Sequence, residues 1–130
     1  MVDIKTSGYK VRQYAFPTKR YCQTLDLKND PQLIEEYVKR HSNEEHWDVI
    51  RQGLRKVGIL EMEIYLLDNR LFMIVETKMD FDWSEAFIEL ADMPKQKEWE
   101  EYMSIFQNVQ SGITSGQKWK LMDRIFRIYE

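Results

Sequence analysis

The run Leu71-Phe72-Met73-Ile74-Val75 is apolar at every position, and this limits the folds open to the chain more than any other feature. Side chains alternate between the two faces of a strand, so a strand apolar on both faces must be covered on both. Just before it, Ile59 to Leu67 alternates Leu60, Met62, Ile64 and Leu66 against Glu61, Glu63 and Tyr65. That is the period of a half-buried strand, and Asp68-Asn69-Arg70 is a short turn joining the two. A chain of 130 residues makes one domain. Its own helices can cover one face of the sheet, and a second copy of the chain is expected to cover the other.

The flanking segments supply those helices and two more strands. Residues 1–17 hold no sustained period and end at Pro17, so they are expected to be a flexible or loosely docked arm before a single domain over 18–130. Lys19 to Lys28 alternates as a strand. Asp30 then suits an N-cap and Pro31 the first helical position of a helix running to about His41. Ser42-Asn43-Glu44-Glu45 reads as a capping box opening a second helix, with Trp47, Ile50, Leu54 and Val57 on one stripe and Gly58 as its stop. After the central strands, Phe81 to Met93 is expected to be helical, with Trp83, Phe87 and Leu90 inward. Pro94 restarts a helix striped by Trp99, Met103 and Phe106. Gln107 to Gln117 is a polar loop, and Lys118 to Tyr129 is expected as a final strand. At ~3.3 Å per residue that strand would be roughly 40 Å long, which asks for a bulge or for sharing with a partner subunit.

The order β-α-α-β-β-α-α-β is that of a ferredoxin-like α+β sandwich with a helix pair in each crossover. Two such sheets face to face give a dimeric α/β-barrel type assembly with a cleft under the helices.

Composition removes several functions. Net charge is −3 with no basic block, which argues against nucleic acid and anionic membrane as partners. No apolar run approaches the ~20 residues that span a bilayer, and the first residues lack a signal-peptide core. The single cysteine, Cys22, cannot form an internal disulfide. A reducing, cytoplasmic setting is expected. No glycine-rich phosphate loop, nucleophile motif or metal cluster is present, so no cofactor is called for.

What chemistry remains gathers at Glu36-Tyr37-Val38-Lys39-Arg40-His41 and Trp47. On a helix Tyr37 and His41 share a face at i and i+4, with Arg40 at its border. They offer a phenol, a proton carrier near neutral pH and a fixed cation. The other histidine, His46, makes no metal motif with His41, because five residues put it about 140° out of phase on one helix and the two are expected to straddle a break; it is read as structural. Trp99 could stack on a ligand from its helix stripe. Glu100, off that stripe, is a carboxylate expected to face solvent. Aromatic rings with Tyr, Arg and carboxylate groups suit a neutral polyol, a small monosaccharide substrate. One histidine can catalyse anomer exchange by moving a proton between the anomeric hydroxyl and the ring oxygen.

The chain resembles the L-rhamnose mutarotase family from about Lys19 to Tyr129. The likeness rests on Lys19-Arg20-Tyr21-Cys22, Glu36-Tyr37-x-x-x-His41, Trp47, Met62-Glu63-Ile64-Tyr65, Asn69 to Glu76, Trp99-Glu100-x-Tyr102-Met103, and Lys118-Trp119-x-Leu121-Met122-x-Arg124-Ile125-Phe126. It implies a homodimeric ferredoxin-like fold and cofactor-free sugar mutarotation, with the proton donor at His41 and a substrate-contacting tyrosine at Tyr37. Three departures bear on the sugar. Met62 stands where the rhamnose enzymes have a second sugar-contacting tyrosine, Trp99-Glu100 replaces a tryptophan pair, and the segment from His41 to Trp47 is two residues longer. Some relatives with the Met and Trp-Glu pattern resemble L-fucose mutarotases, so L-rhamnose and L-fucose, both 6-deoxyhexoses, are the expected substrates. Two other classes fit the same elements: a cofactor-free monooxygenase-like dimeric barrel, and a non-catalytic module that binds a small ligand.

Overall fold

The computed structural model describes residues 4–109 and 113–129. In chain order these form α1 (Ile4–Ser7), β1 (Thr18–Asp26), α2 (Pro31–Arg40), α3 (Asp48–Lys56), β2 (Ile59–Leu67), β3 (Arg70–Lys78), α4 (Trp83–Ala91), α5 (Gln96–Ser104), α6 (Ser115–Lys118) and β4 (Lys120–Leu121). The strands make one antiparallel sheet in the order β2-β3-β1-β4. The α2–α3 pair crosses from β1 to β2, and α4 to α6 cross from β3 to β4. This is the ferredoxin-like topology expected from the element order.

β3 lies at the centre, as an all-apolar strand should. Val75 pairs with Tyr21 on one side and Met62 on the other, and Met73 with Gln23 and Ile64. Leu71, Met73, Val75 and Thr77 point to the helices and are buried, joined by Leu25, Tyr37, Ile50, Trp99, Met103 and Trp119 in one core. Phe72, Ile74 and Glu76 point the other way and are only half-buried. The N-terminal segment lies against the β2 edge. Tyr9 meets the ring of Tyr65 at 5.5 Å, and the Tyr14 hydroxyl donates to the Leu60 carbonyl at 3.3 Å.

Local signals explain where most helices start and stop. Asp30 caps α2, accepting from the Gln32 and Leu33 amides, with Pro31 at the first helical position. Gly58 ends the α3 turn at φ +106°, a conformation that side chains resist, and a Cβ there would meet the Phe81 ring at 3.2 Å. Asp82 caps α4 through the Glu85 amide.

Three expected elements differ. Ser42–Glu45 does not start a helix. Arg40 takes the Glu45 carboxylate at 2.7 Å, residues 42–46 close a separate turn, and α3 begins at Asp48 with Trp47 as N-cap. Pro94 lies in a turn that passes through Lys95 at φ +65°, so α5 begins at Gln96. The long final strand is not formed. Lys118 belongs to α6, and β4 is limited to Lys120–Leu121 against Thr24 and Gln23. After the Met122 amide donates to the Cys22 carbonyl at 2.8 Å, residues 123–129 run on without a strand partner among the described residues. Part of the expected 107–117 loop, residues 110–112, lies outside the described residues. Among those described, no helix is long and apolar enough to cross a membrane.

Candidate active site

α2 carries Tyr37 and His41 one turn apart on the face that meets the core. Their rings lie 4.2 Å apart between centroids. His41 is the C-cap of α2, and its Nδ1 sits 2.8 Å from the Tyr37 carbonyl. A carbonyl can only accept, so Nδ1 carries the hydrogen and the neutral ring keeps its lone pair on Nε2. Burial holds the His41 pKa below the ordinary imidazole value, against the pull of the Tyr37 carbonyl in the other direction. Tyr37 is buried. Its pKa is raised, first by burial and then, after a lowering hydrogen bond from the Gln107 side chain, by the Glu100 charge. The phenol is therefore a neutral hydrogen-bonding group.

The turn after α2 brings His46 beside His41, with ring centroids 5.6 Å apart. The edge of Trp99 closes the group at 4.6 Å from His46 and 5.6 Å from His41. Arg51, held by Asp48 at 3.2 Å, donates from Nη1 to His46 Nδ1 at 3.0 Å. The His46 pKa is pushed down to about 4, first by burial and then by the neighbouring His41 and Arg51; the Trp47 backbone and Asp48 oppose this. Residue spacing on one helix could not reveal this pairing, because the chain reverses between the two histidines. The usable signal was that both histidines fall within six positions of each other.

Two cavities meet at this pair. A small one of about 60 Å³ lies above the sheet, lined by Tyr37, His41, His46, Met62, Trp99 and Glu100 among others. It holds a few water molecules and not a pyranose. An open cleft of about 300 Å³ lies outside it, lined by His41, Asn43, His46, Arg51, Arg55, Glu61 and Met62 among others. That volume is at the lower end of small-molecule sites, about 300–1,000 Å³. His41, His46, Leu54, Met62 and Ile64 border both spaces.

Of the residues singled out from sequence, Tyr37, His41, Met62, Trp99 and Glu100 are thus brought together. Arg40 is not. Its guanidinium bonds Glu36 and Glu45, fastening the turn that leads to His46, and it lines neither space. Glu100 is not a solvated carboxylate either. Its Oε1 pairs with Lys118 Nζ at 3.0 Å, its Oε2 accepts from Gln96 at 2.8 Å, and the Lys118 side chain is wholly buried. Trp47 stacks on Tyr102 and meets Trp99 at 5.0 Å, backing the site from outside. Among the described residues no group of three or more His, Cys, Asp or Glu side chains could hold a metal ion.

The sheet, the helix pairs and this histidine-centred cleft can be set beside known proteins. A family model for L-rhamnose mutarotase matches residues 20–128. The chain belongs to the L-rhamnose mutarotase family. Mutarotases are isomerases that interconvert sugar anomers. An L-fucose mutarotase of Xanthomonas campestris is 34% identical over 112 residues, covering 86% of this chain and 90% of the relative. A UPF0734 protein of Dictyostelium discoideum is 40% identical over 112 residues, covering 83% of this chain and 88% of its own length. The crystal structure of an L-rhamnose mutarotase from Formosa agariphila matches with a TM-score of 0.61 at 20% identity. That match covers 85% of this chain and 98% of the other, so this mutarotase chain shares its fold.

Proposed function

We propose that this mutarotase interconverts the α and β anomers of a 6-deoxyhexose, L-fucose or L-rhamnose, with His41 as general acid and base. The observation that carries the reading is the hydrogen bond from His41 Nδ1 to the Tyr37 carbonyl, which leaves a basic Nε2 at the border of an open cleft. In that role Nε2 takes the proton of the anomeric hydroxyl, the ring opens to the aldehyde, and the carbonyl turns. The same nitrogen returns a proton as the ring closes on the other face. Met62 then packs against the sugar at the mouth of the inner cavity, while Tyr37, Trp99 and Glu100 meet whatever reaches deepest into it. Arg40 serves the site indirectly through the turn it fastens. An oxygenase of small aromatics would want a larger apolar cavity than the 60 Å³ space beside His41. Cys22 is a free thiol, in keeping with a cytoplasmic setting.

The test is magnetisation-transfer NMR on L-fucose and L-rhamnose. Added protein is expected to speed α/β exchange of at least one of them over the water background. Binding of either sugar without faster exchange would leave only a binding module.

The reading includes a homodimer. Phe72 and Ile74 are half-buried on the sheet face away from the helices. The tail leaves Ile125 95% and Phe126 78% exposed, apolar surface of the kind a partner subunit covers. Sedimentation velocity is expected to give twice the chain mass of 15.8 kDa, and a monomer at micromolar concentration would refute the dimer.

A further inference from the structure

We propose that His46 is a second catalytic residue of the sugar site, a neutral hydrogen-bond donor whose Nε2–H holds the pyranose ring oxygen as the ring opens. The inference rests on the mutarotase reading and adds to it the group that stabilises the opening oxygen.

Its basis is that the two imidazoles are fixed in opposite tautomers. The Tyr37 carbonyl, an acceptor only, puts the His41 hydrogen on Nδ1. Arg51 is a donor only, and it points Nη1 at His46 Nδ1 from 3.0 Å. His46 Nδ1 must therefore accept, and its hydrogen is on Nε2. One ring offers a lone pair and the other an N–H, their centroids 5.6 Å apart at the border of the same cleft. This complement suits anomer exchange, because the anomeric hydroxyl and the ring oxygen are bonded to the same carbon and one gives up a proton while the other gathers charge. The low His46 pKa, about 4, keeps the ring neutral through the physiological range. The Arg51 charge on the far nitrogen strengthens the remaining N–H as a donor.

The step balances without a co-reactant. His41 Nε2 takes the anomeric hydroxyl proton, and the O–H electron pair becomes the second bond of the aldehyde. The bond from the anomeric carbon to the ring oxygen breaks, and its pair goes to that oxygen. His46 Nε2–H donates to the oxygen as charge gathers there and keeps its proton throughout, as a neutral imidazole can. The His41 imidazolium then protonates the oxygen and returns to neutral. After the carbonyl turns, the reverse steps close the other anomer.

Removal of one such donor typically costs about 10²–10³-fold in rate. His46→Phe keeps an aromatic ring against Trp99 and is expected to lower the exchange rate by about that much. His46→Gln, whose amide N–H lies near the position of Nε2, is expected to recover part of it. An exchange rate in His46→Phe equal to the parent's would overturn the proposal, provided the parent accelerates exchange and His41→Ala does not. If the parent itself shows no acceleration, the mutarotase reading fails first. A direct measurement needs no variant: ¹⁵N spectra of histidine-labelled protein should show Nε2–H for His46 and Nδ1–H for His41. The same tautomer at both would also overturn it.

Discussion

His41→Ala will abolish the acceleration of anomer exchange and leave the protein folded. The ring is the cleft's basic nitrogen, and a positioned general acid or base typically contributes about 10²–10⁴-fold. The substitution removes one hydrogen bond to the Tyr37 carbonyl, a net loss of about 0.5–1.5 kcal/mol. It leaves the backbone amide that caps α2 in place. Circular dichroism and a thermal melt should therefore stay close to the parent while magnetisation transfer falls to the water background. A variant that still exchanges anomers at the parent rate would show that another group carries the proton.

The pH profile follows from the same geometry. Burial holds the His41 pKa below the ordinary value of 6.5, so the reactive neutral ring persists through neutral pH. Exchange should be flat there and fall only as the solution is acidified below pH 6.5, where the base is protonated. A decline beginning above pH 7 would contradict the assignment. Stability moves in the same direction. His41 and His46 both titrate lower in the folded protein than in the unfolded chain, which binds more protons from about pH 6.5 down to about pH 4. The melting temperature should fall as pH falls through that window.

Lys118→Met is expected to be among the most destabilising single changes in the chain. The Lys118 side chain is wholly buried, its Nζ 2.6 Å from the Glu100 carbonyl and 3.0 Å from the Glu100 carboxylate. Methionine matches its length but takes away the charge, leaving Glu100 largely buried with the Gln96 amide. Breaking a buried pair from one side typically costs about 3–5 kcal/mol. Adding Glu100→Gln to Lys118→Met removes the stranded charge and should recover much of that loss, because the two residues act as one unit. Urea denaturation of the parent, both single variants and the double would give the coupling. A loss below about 1 kcal/mol for Lys118→Met would mean that water or a rearrangement satisfies Glu100.

The local grammar of the chain was largely legible. Asp30-Pro31 and Gly58 mark a helix start and a helix stop because capping and left-handed backbone are decided by one or two residues. The β2 and β3 patterns gave strands in the right places because a two-residue period depends only on neighbours. Tyr37 and His41 were readable as a pair for the same reason, one helical turn apart. Ser42–Glu45 misled because a capping box is a short polar pattern, and Arg40 offered the Glu45 carboxylate a competing partner. The tail from Lys118 also misled. Alternation reports which residues could face a core, and in this chain most of that segment has no strand beside it.

Sequence alone thus determined the order of the first three strands and the four longer helices, the all-apolar central strand, and a histidine and tyrosine on one face of α2. Only the tertiary structure decided that His46 returns to the side of His41, that Arg51 sets its tautomer, and that Glu100 meets Lys118 eighteen residues further on. The physical reason is range. Periodicity and caps are set by bonds between near neighbours, whereas the protonation of a ring and the pairing of a buried charge depend on groups brought alongside only when the chain has folded.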